Sequence, residues 1–218
     1  MDVDLNKLPV PRRSLYTRVI KRLLDIVFSL IALIILSPVL VIVAVLELVF
    51  HGKPIHYNSL RPGKDCKPFK LLKFRTMTND RDEDGNLLPE EVRLTKFGKI
   101  LRKLSIDELP QLINILKGDM SIIGPRPLLL EYVDLYTPRH RMRHAVRPGL
   151  SCRQVIEPRY PGAWSWGDQF DNDIYYIEHL SFALDFKMIF QSFYAVIKAK
   201  EQRVKGNRPE FNGKNLYD

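Results

Sequence analysis

At 218 residues the chain is long enough for one compact domain with a sizeable core. Its formal net charge of +9 suits a nucleic acid, an anionic membrane surface or a phosphate-rich small substrate. The two cysteines, Cys66 and Cys152, stand far apart with no Cys or His at ligand spacing. That argues against a disulfide framework or a zinc site and fits a reducing cytosol.

Met1 to Arg12 is polar, carries Pro9 and Pro11, and reads as irregular; residues 1–17 are expected to form a flexible N-terminus. It does not have the pattern of a cleaved signal peptide, because the apolar stretch starts late, runs long and lacks a small-residue cleavage site. From Ile26 to Leu46 every residue is apolar except Ser29, Ser37 and Pro38, and such a helix is roughly as long as a bilayer core is thick. Hydropathy alone reads it as a single-pass helix.

The flanks argue otherwise. Arg12, Arg13, Arg18, Lys21 and Arg22 precede the segment, and Lys53, Arg61, Lys64, Lys67, Lys70, Lys73 and Arg75 follow it. A spanning helix would carry one basic cluster outside, against the cytoplasmic preference of Lys and Arg. Pro38 removes a backbone donor near the middle, and the Ser37 hydroxyl can bond the carbonyl so freed. The sequence therefore predicts a Ser37-Pro38-broken, re-entrant membrane helix over 18–51. The remainder is then expected on the cytoplasmic face of the inner membrane: a domain over 52–205 with interfacial helices, and a tail over 206–218.

Within that domain a hairpin-like or irregular stretch around Arg61-Pro62-Gly63 precedes an extended run, Phe69 to Arg75. Residues 79–91 read as a solvated acidic loop. Thr95 to Leu104 has helical spacing, with Phe97, Ile100, Leu101 and Leu104 on one face. A second helix is expected from about Asp107 to Lys117, stopped by Gly118, and another over Leu128 to Tyr136. A last amphipathic helix, Phe182 to Lys200, sets Leu184, Met188, Phe193 and Val196 among lysines; it either lies in the membrane interface or covers the core. The expected class is α+β, mostly helical.

The chemistry concentrates between Leu101 and Pro127. Asp107 and Glu108 stand where a helix should begin. A structural account is available, since Ser105-x-x-Glu108 is a capping box and acids in a first turn offset the helix dipole. A functional one is also available. An aspartate held ionised by cap N–H groups suits a carboxylate nucleophile or metal ligand. Arg102 and Lys103 lie just upstream, and Pro125-Arg126-Pro127 restrains an arginine so that it can fork a phosphate at reduced entropic cost. Lys73-Phe74-Arg75 adds two cations, either for a phosphate or for lipid headgroups.

Taken in order, these pieces resemble the bacterial sugar transferase family, the monotopic polyprenyl-phosphate phosphoglycosyl transferases, and its small PglC-like members in particular. The resemblance rests on Ser37-Pro38, Lys73-Phe74-Arg75-Thr76-Met77 and Arg93-Leu94-Thr95-Lys96-Phe97-Gly98. It continues through Leu101-Arg102, Ser105 to Leu112, Lys117 to Ser121 and Gly124-Pro125-Arg126-Pro127. Arg147-Pro148-Gly149, Asp173 to Tyr176 and Phe211 to Asn215 extend it downstream. It lapses after Gly149, where Leu150-Ser151-Cys152-Arg153 replaces the usual run, and no role is carried over for 150–165. The aromatic Tyr160 to Trp166 stretch is read as packing at the membrane surface rather than touching sugar or base.

The resemblance implies a ping-pong reaction in which Asp107 takes a sugar-phosphoryl group from a UDP-sugar, releasing UMP, and passes it to polyprenyl (undecaprenyl) phosphate. It implies Mg²⁺ held by Asp107, and Glu108 assisting the second step or orienting its neighbour. Arg102 and Arg126, with Lys73, Arg75 and Arg147, are the implied phosphate-binding cations. Expected partners are the UDP-sugar, undecaprenyl phosphate, anionic lipids, a second copy in a homodimer and downstream glycosyltransferases, with no nucleic acid. The PglC-like ending favours an N-acetylated amino sugar over glucose or galactose. Two competing readings are a membrane-tethered basic binding module without catalysis and a silent partner in a glycan assembly complex.

Overall fold

The computed structural model describes residues 8–159, 164–197 and 209–217. A π-helical turn, Tyr16–Ile20, leads into helix α1, Lys21–Phe50. An antiparallel hairpin follows, β1 (His56–Pro62) with β2 (Pro68–Phe74), in the register His56↔Phe74 to Pro62↔Pro68. Then come α2 (Glu90–Arg93), α3 (Lys96–Leu104), α4 (Gln111–Lys117), β3 (Ser121–Ile123), α5 (Pro138–Arg141), β4 (Gly149–Ser151), α6 (Trp166–His179) and α7 (Phe182–Ile197). β3 and β4 pair in parallel. The class is α+β and mostly helical, as expected.

α1 keeps its helical hydrogen-bonding pattern on both sides of Pro38. The local chemistry explains why. Pro38 cannot donate to the Ile34 carbonyl four residues back, and the Ser37 hydroxyl donates to that carbonyl instead at 2.8 Å.

Both ends of α1 rest on the same soluble body. Near its start, Arg22 donates to the carbonyls of Ile115 and Leu116, and Asp25 accepts from Ser121 Oγ and Ile122 N–H, each at 3.0 Å. Ala32, Leu33 and Leu36 pack against Phe69, Leu71, Leu112, Ile115 and Met120. Near the end, Val43 packs with Phe74 and Leu101, and Glu47 reaches His51, whose other ring nitrogen meets Thr95 Oγ1. A helix of 30 residues is about 45 Å long, so α1 lies along the body for its whole length. Its other face, including Val27, Phe28, Ile31, Ile34, Ile35 and Ile42, is exposed.

The remaining core has two parts. Tyr132, Tyr136, Trp166, Phe170 and Phe211 form an aromatic cluster, which buries Phe211 and takes Trp166 into the core, its indole N–H on the Pro209 carbonyl. Trp166 is thus not a membrane-surface residue; residues 160–163 lie outside those described. Ile123, Ile174, Tyr176, Ile177 and Met188 form the second part under α6 and α7.

α6 is a helix the sequence reading named only as a motif. Residues 128–136 form a 3₁₀ stretch, Leu130–Leu135, rather than an α-helix. α7 joins the two alternatives posed for it. Met188 is fully buried and Leu184 packs on the core, while Phe182, Phe186, Phe190 and Tyr194 point outward at four-residue spacing. The side chains of Phe193 and Val196 lie outside the described residues. α3 divides similarly: Leu101 is buried, and Ile100 and Leu104 are exposed.

Candidate active site

Asp107 sits in a one-turn 3₁₀ segment, Ile106–Glu108, between α3 and α4. Ser105 closes α3 in the left-handed region, at φ 56°, and so cannot also serve as an extended N-cap. The expected capping box is therefore not formed: Ser105 makes no side-chain cap, and the Glu108 carboxylate turns elsewhere. α4 begins only at Gln111, with Pro110 preceding it, and ends at Gly118 with φ 94° as its C-cap, where the sequence placed its stop.

Glu108 Oε1 accepts from Lys73 Nζ at 2.8 Å and from an Arg126 Nη at 2.7 Å. Burial pushes its carboxyl up, but the charges of Arg126 and Lys73 outweigh that and hold it down at about 2. Asp107, 8% exposed, makes no side-chain hydrogen bond or ion pair among the described residues; its one resolved hydrogen bond is to its own backbone N–H. Burial raises its pKa, and the adjacent Glu108 charge adds to the rise, against the pull of Lys73 and Arg102. This corrects the expectation that cap N–H groups would hold Asp107 ionised, because a 3₁₀ turn offers no such ring of donors. Neighbouring carboxylates pushed in opposite directions mark a division of labour.

The cations are placed by backbone contacts. Lys73 stands near the end of β2, and Asn114 of α4 pins that strand: its Oδ1 accepts from Leu72 N–H at 3.0 Å and its Nδ2 donates to the Lys70 carbonyl at 2.8 Å. Arg126 follows the tight approach of Gly124 to Gly149, where a Cβ on Gly149 would lie 2.1 Å from Gly124 N. Its carbonyl accepts from Arg143 at 2.9 Å. Arg143, fully buried, also binds Asp173 through Nε at 3.0 Å and Nη2 at 2.6 Å, and the Tyr136 hydroxyl at 3.0 Å. Arg102 donates to Thr76 Oγ1 at 2.9 Å and pairs with Glu90 at 2.5 Å. Gly98 allows that contact, because a Cβ there would stand 1.9 Å from the Thr76 carbonyl.

A cleft opens beside Lys73 and Arg126, lined also by Arg61, Leu71, Gln111 and Leu150. Among the described residues no group of three or more His, Cys, Asp or Glu gathers as a ligand cage. Mg²⁺ needs none, since it binds through one or two carboxylates plus substrate phosphates. The donor chemistry of Asp107, a carboxylate with no cation already on it, fits that ion.

The sequence profile of the bacterial sugar transferases matches residues 16–199. The chain belongs to the bacterial sugar transferase family. It is 47% identical over 171 residues to the uncharacterized sugar transferase EpsL of Bacillus subtilis, covering 78% of this chain and 84% of that one. It is 37% identical over 184 residues to the UDP-N-acetylgalactosamine-undecaprenyl-phosphate N-acetylgalactosaminephosphotransferase of Aeromonas hydrophila, covering 82% and 44%. It is 35% identical to the UDP-glucose:undecaprenyl-phosphate glucose-1-phosphate transferase of Klebsiella pneumoniae, covering 79% and 39%. The chain thus spans less than half the length of these last two relatives. As a sugar transferase it is an enzyme, which sets aside the non-catalytic binding module, and its long apolar helix marks it as membrane-associated.

Within this sugar transferase, Lys73, Arg102 and Arg126 are gathered around the Asp107-Glu108 turn, while Arg75 and Arg147 are not. Arg75 is buried and donates to the carbonyls of His51 (3.2 Å), Pro54 (3.0 Å) and Met77 (3.5 Å), which ties the end of α1 to the end of β2. Arg147 donates to the Gly118 carbonyl at 2.8 Å, at the C-terminal end of α4. Sequence reasoning assigned no role to Arg61, Gln111, Asn114 or Arg143. Asp173, quoted as part of a motif, was the available signal for Arg143, since a carboxylate inside an apolar helical face demands a buried cation.

Proposed function

We propose that this chain transfers a sugar-1-phosphate from a UDP-sugar to a polyprenyl phosphate, releasing UMP, through a covalent sugar-phosphoryl Asp107. The observation that carries this reading is the contrast within one turn: Asp107 is buried, raised in pKa and without an ion pair among the described residues, while its neighbour is clamped by Lys73 and Arg126. A desolvated carboxylate free of ion pairs keeps its lone pairs for phosphorus. The names of the relatives from Aeromonas hydrophila and Klebsiella pneumoniae supply the donor and acceptor classes. One names N-acetylgalactosamine and the other glucose, so they do not choose the sugar.

In the first half-reaction an Asp107 oxygen bonds to the sugar-bearing phosphorus and the phosphoanhydride bond to UMP breaks. In the second, a polyprenyl phosphate oxygen attacks the same phosphorus and the aspartyl carboxylate is restored. Lys73, Arg126 and Arg102 neutralise charge on the transferring phosphoryl group. Glu108, ionised at any physiological pH, positions two of those cations. Asp107 would hold Mg²⁺, which when bound neutralises charge on the donor diphosphate.

The re-entrant, monotopic placement of α1 belongs to the same proposal. It is supported by the contacts of both helix ends with one soluble body and by the outward apolar residues of α1, α3 and α7. That arrangement brings Asp107 to the bilayer surface, where an acceptor phosphate on a lipid tail resides. The domain then lies on the cytoplasmic face of the inner membrane. Introduced cysteines on either flank of α1 should react only with reagent supplied from the cytoplasm; labelling of one flank from outside would reject the topology.

The chemical test is to incubate purified protein with Mg²⁺ and a panel of UDP-sugars without acceptor. Stoichiometric UMP and a sugar-phosphate mass on the peptide bearing Asp107 are expected. Catalytic turnover with acceptor but no adduct on donor alone would refute the covalent route.

A further inference from the structure

The cations that Lys73 and Arg126 bring to the turn are already answered by acids: their two positive charges face Glu108, and Asp107 adds a second negative one. Arg102 is answered by Glu90. A donor diphosphate arriving there needs a cation that no carboxylate has claimed. Arg61 meets that need. It stands near the end of β1 and lines the cleft with Lys73, Gln111 and Arg126. Its one hydrogen bond among the described residues runs from Nε to Ser59 Oγ at 3.1 Å, which leaves both terminal nitrogens of its fork for a ligand. It forms no salt bridge among the described residues, and burial, with the like charge of Arg126, lowers its pKa against the weaker pull of Tyr57, Tyr132 and Glu131. A half-buried guanidinium beside a second one is costly unless an anion comes between them.

We propose that Arg61 binds the phosphate of the departing nucleoside monophosphate, so that the cleft is the subsite for the UMP half of the donor. The inference rests on the reaction proposed above. When Asp107 bonds to the sugar-bearing phosphorus, the bridging oxygen leaves with the nucleotide and its phosphate gains one negative charge. Lys73 and Arg126 line both this cleft and the Glu108 clamp, so the attacked and departing phosphates occupy adjoining positions. Arg61 then stabilises charge that appears as the bond breaks.

UMP itself is the probe, because it is common to every UDP-sugar. Full-length protein in detergent is titrated with UMP by calorimetry, as wild type, Arg61→Ala and Arg61→Lys. The expected result is about a tenfold or greater loss of affinity in Arg61→Ala, partly regained in Arg61→Lys. Adduct formation on donor alone should slow in step, while transfer from preformed adduct to polyprenyl phosphate keeps its rate. If Arg61→Ala does not melt cooperatively, Ser59→Ala replaces it; that change removes the hydrogen bond that orients the guanidinium and should weaken UMP about two- to threefold or more.

UMP affinity unchanged by these substitutions, or no UMP binding by wild type, overturns the proposal. So does normal adduct formation with slowed transfer, which would give Arg61 to the acceptor phosphate. Absence of any adduct in wild type would instead refute the covalent reaction, and the UMP titration would still judge Arg61.

Discussion

Two arginine-rich regions flank α4, and they behave in opposite ways. At its N-terminal side Lys73 and Arg126 converge on one oxygen of Glu108, next to an open cleft and an unpaired Asp107. At its C-terminal end Arg22 donates to the carbonyls of Ile115 at 2.6 Å and Leu116 at 2.9 Å, and Arg147 to that of Gly118. The second group does what cations do at any helix C-terminus, which is to satisfy carbonyls that have no helical partner. Both groups look alike as positive charge in a sequence. What separates them is the acceptor, and only carboxylates beside a cleft leave room for a phosphate to compete.

Substitutions can break that comparison. The largest effect is expected at the carboxylate itself. Asp107→Asn should lower turnover by about a thousandfold or more, with membrane association and melting temperature retained; near-normal UMP release in this variant would move the nucleophile elsewhere. Next is the support of Arg126. Arg143→Leu leaves Asp173 as an uncompensated buried charge and unties the Arg126 carbonyl, so destabilisation of about 3–5 kcal/mol is expected in chemical denaturation. A loss below about 1 kcal/mol would mean that the buried pair does not hold the Pro-Arg-Pro loop.

The Glu108 clamp sharpens the contrast through pH. Its folded pKa is depressed from 4.5 to about 2, so its contribution is fully present above pH 4.5 and is lost as pH falls toward 2. Arg126 is 53% exposed, which screens the pair, and about 2 kcal/mol is a fair expectation for the whole effect. Wild type should therefore lose more stability over that window in EDTA than Glu108→Gln does. Parallel pH curves for the two proteins would show that the clamp carries no linkage.

Much of this was legible in the sequence where local rules operate. Gly118 stops α4 because it takes a positive φ, the helical spacing from Thr95 to Leu104 gives α3, and the extended run from Phe69 gives β2. The Asp107-Glu108 pair and the cations Lys73, Arg102 and Arg126 were also legible. Failures arose where a distant partner decides. Ser105-x-x-Glu108 satisfies the capping pattern, yet Ser105 was already committed to ending α3 and Glu108 to cations from β2 and the Pro-Arg-Pro loop. Arg75 stands two residues beyond Lys73, but its guanidinium is consumed by carbonyls of the chain leaving α1, which no spacing rule reveals. Arg61 was read as part of a hairpin-like or irregular stretch because its cleft exists only once the β1–β2 hairpin meets α4, the loop after β3 and β4 itself.

The smallest expected effect tests the other side of the comparison. Arg147 shares the positive charge of the proposed site residues, yet its resolved bond is to Gly118. Removing it costs one charge-assisted hydrogen bond at a partly exposed helix end, so Arg147→Ala should lower stability by about 1 kcal/mol. The melting temperature should fall by a few degrees, and kcat and the KM for the UDP-sugar should stay within about twofold of wild type. Lys73→Ala, matched for the loss of one charge, removes part of the Glu108 clamp and should also melt lower, but with about a tenfold or greater loss of rate. If the two variants lost rate equally, net charge around α4 would govern the reaction and the identity of each cation's acceptor would not.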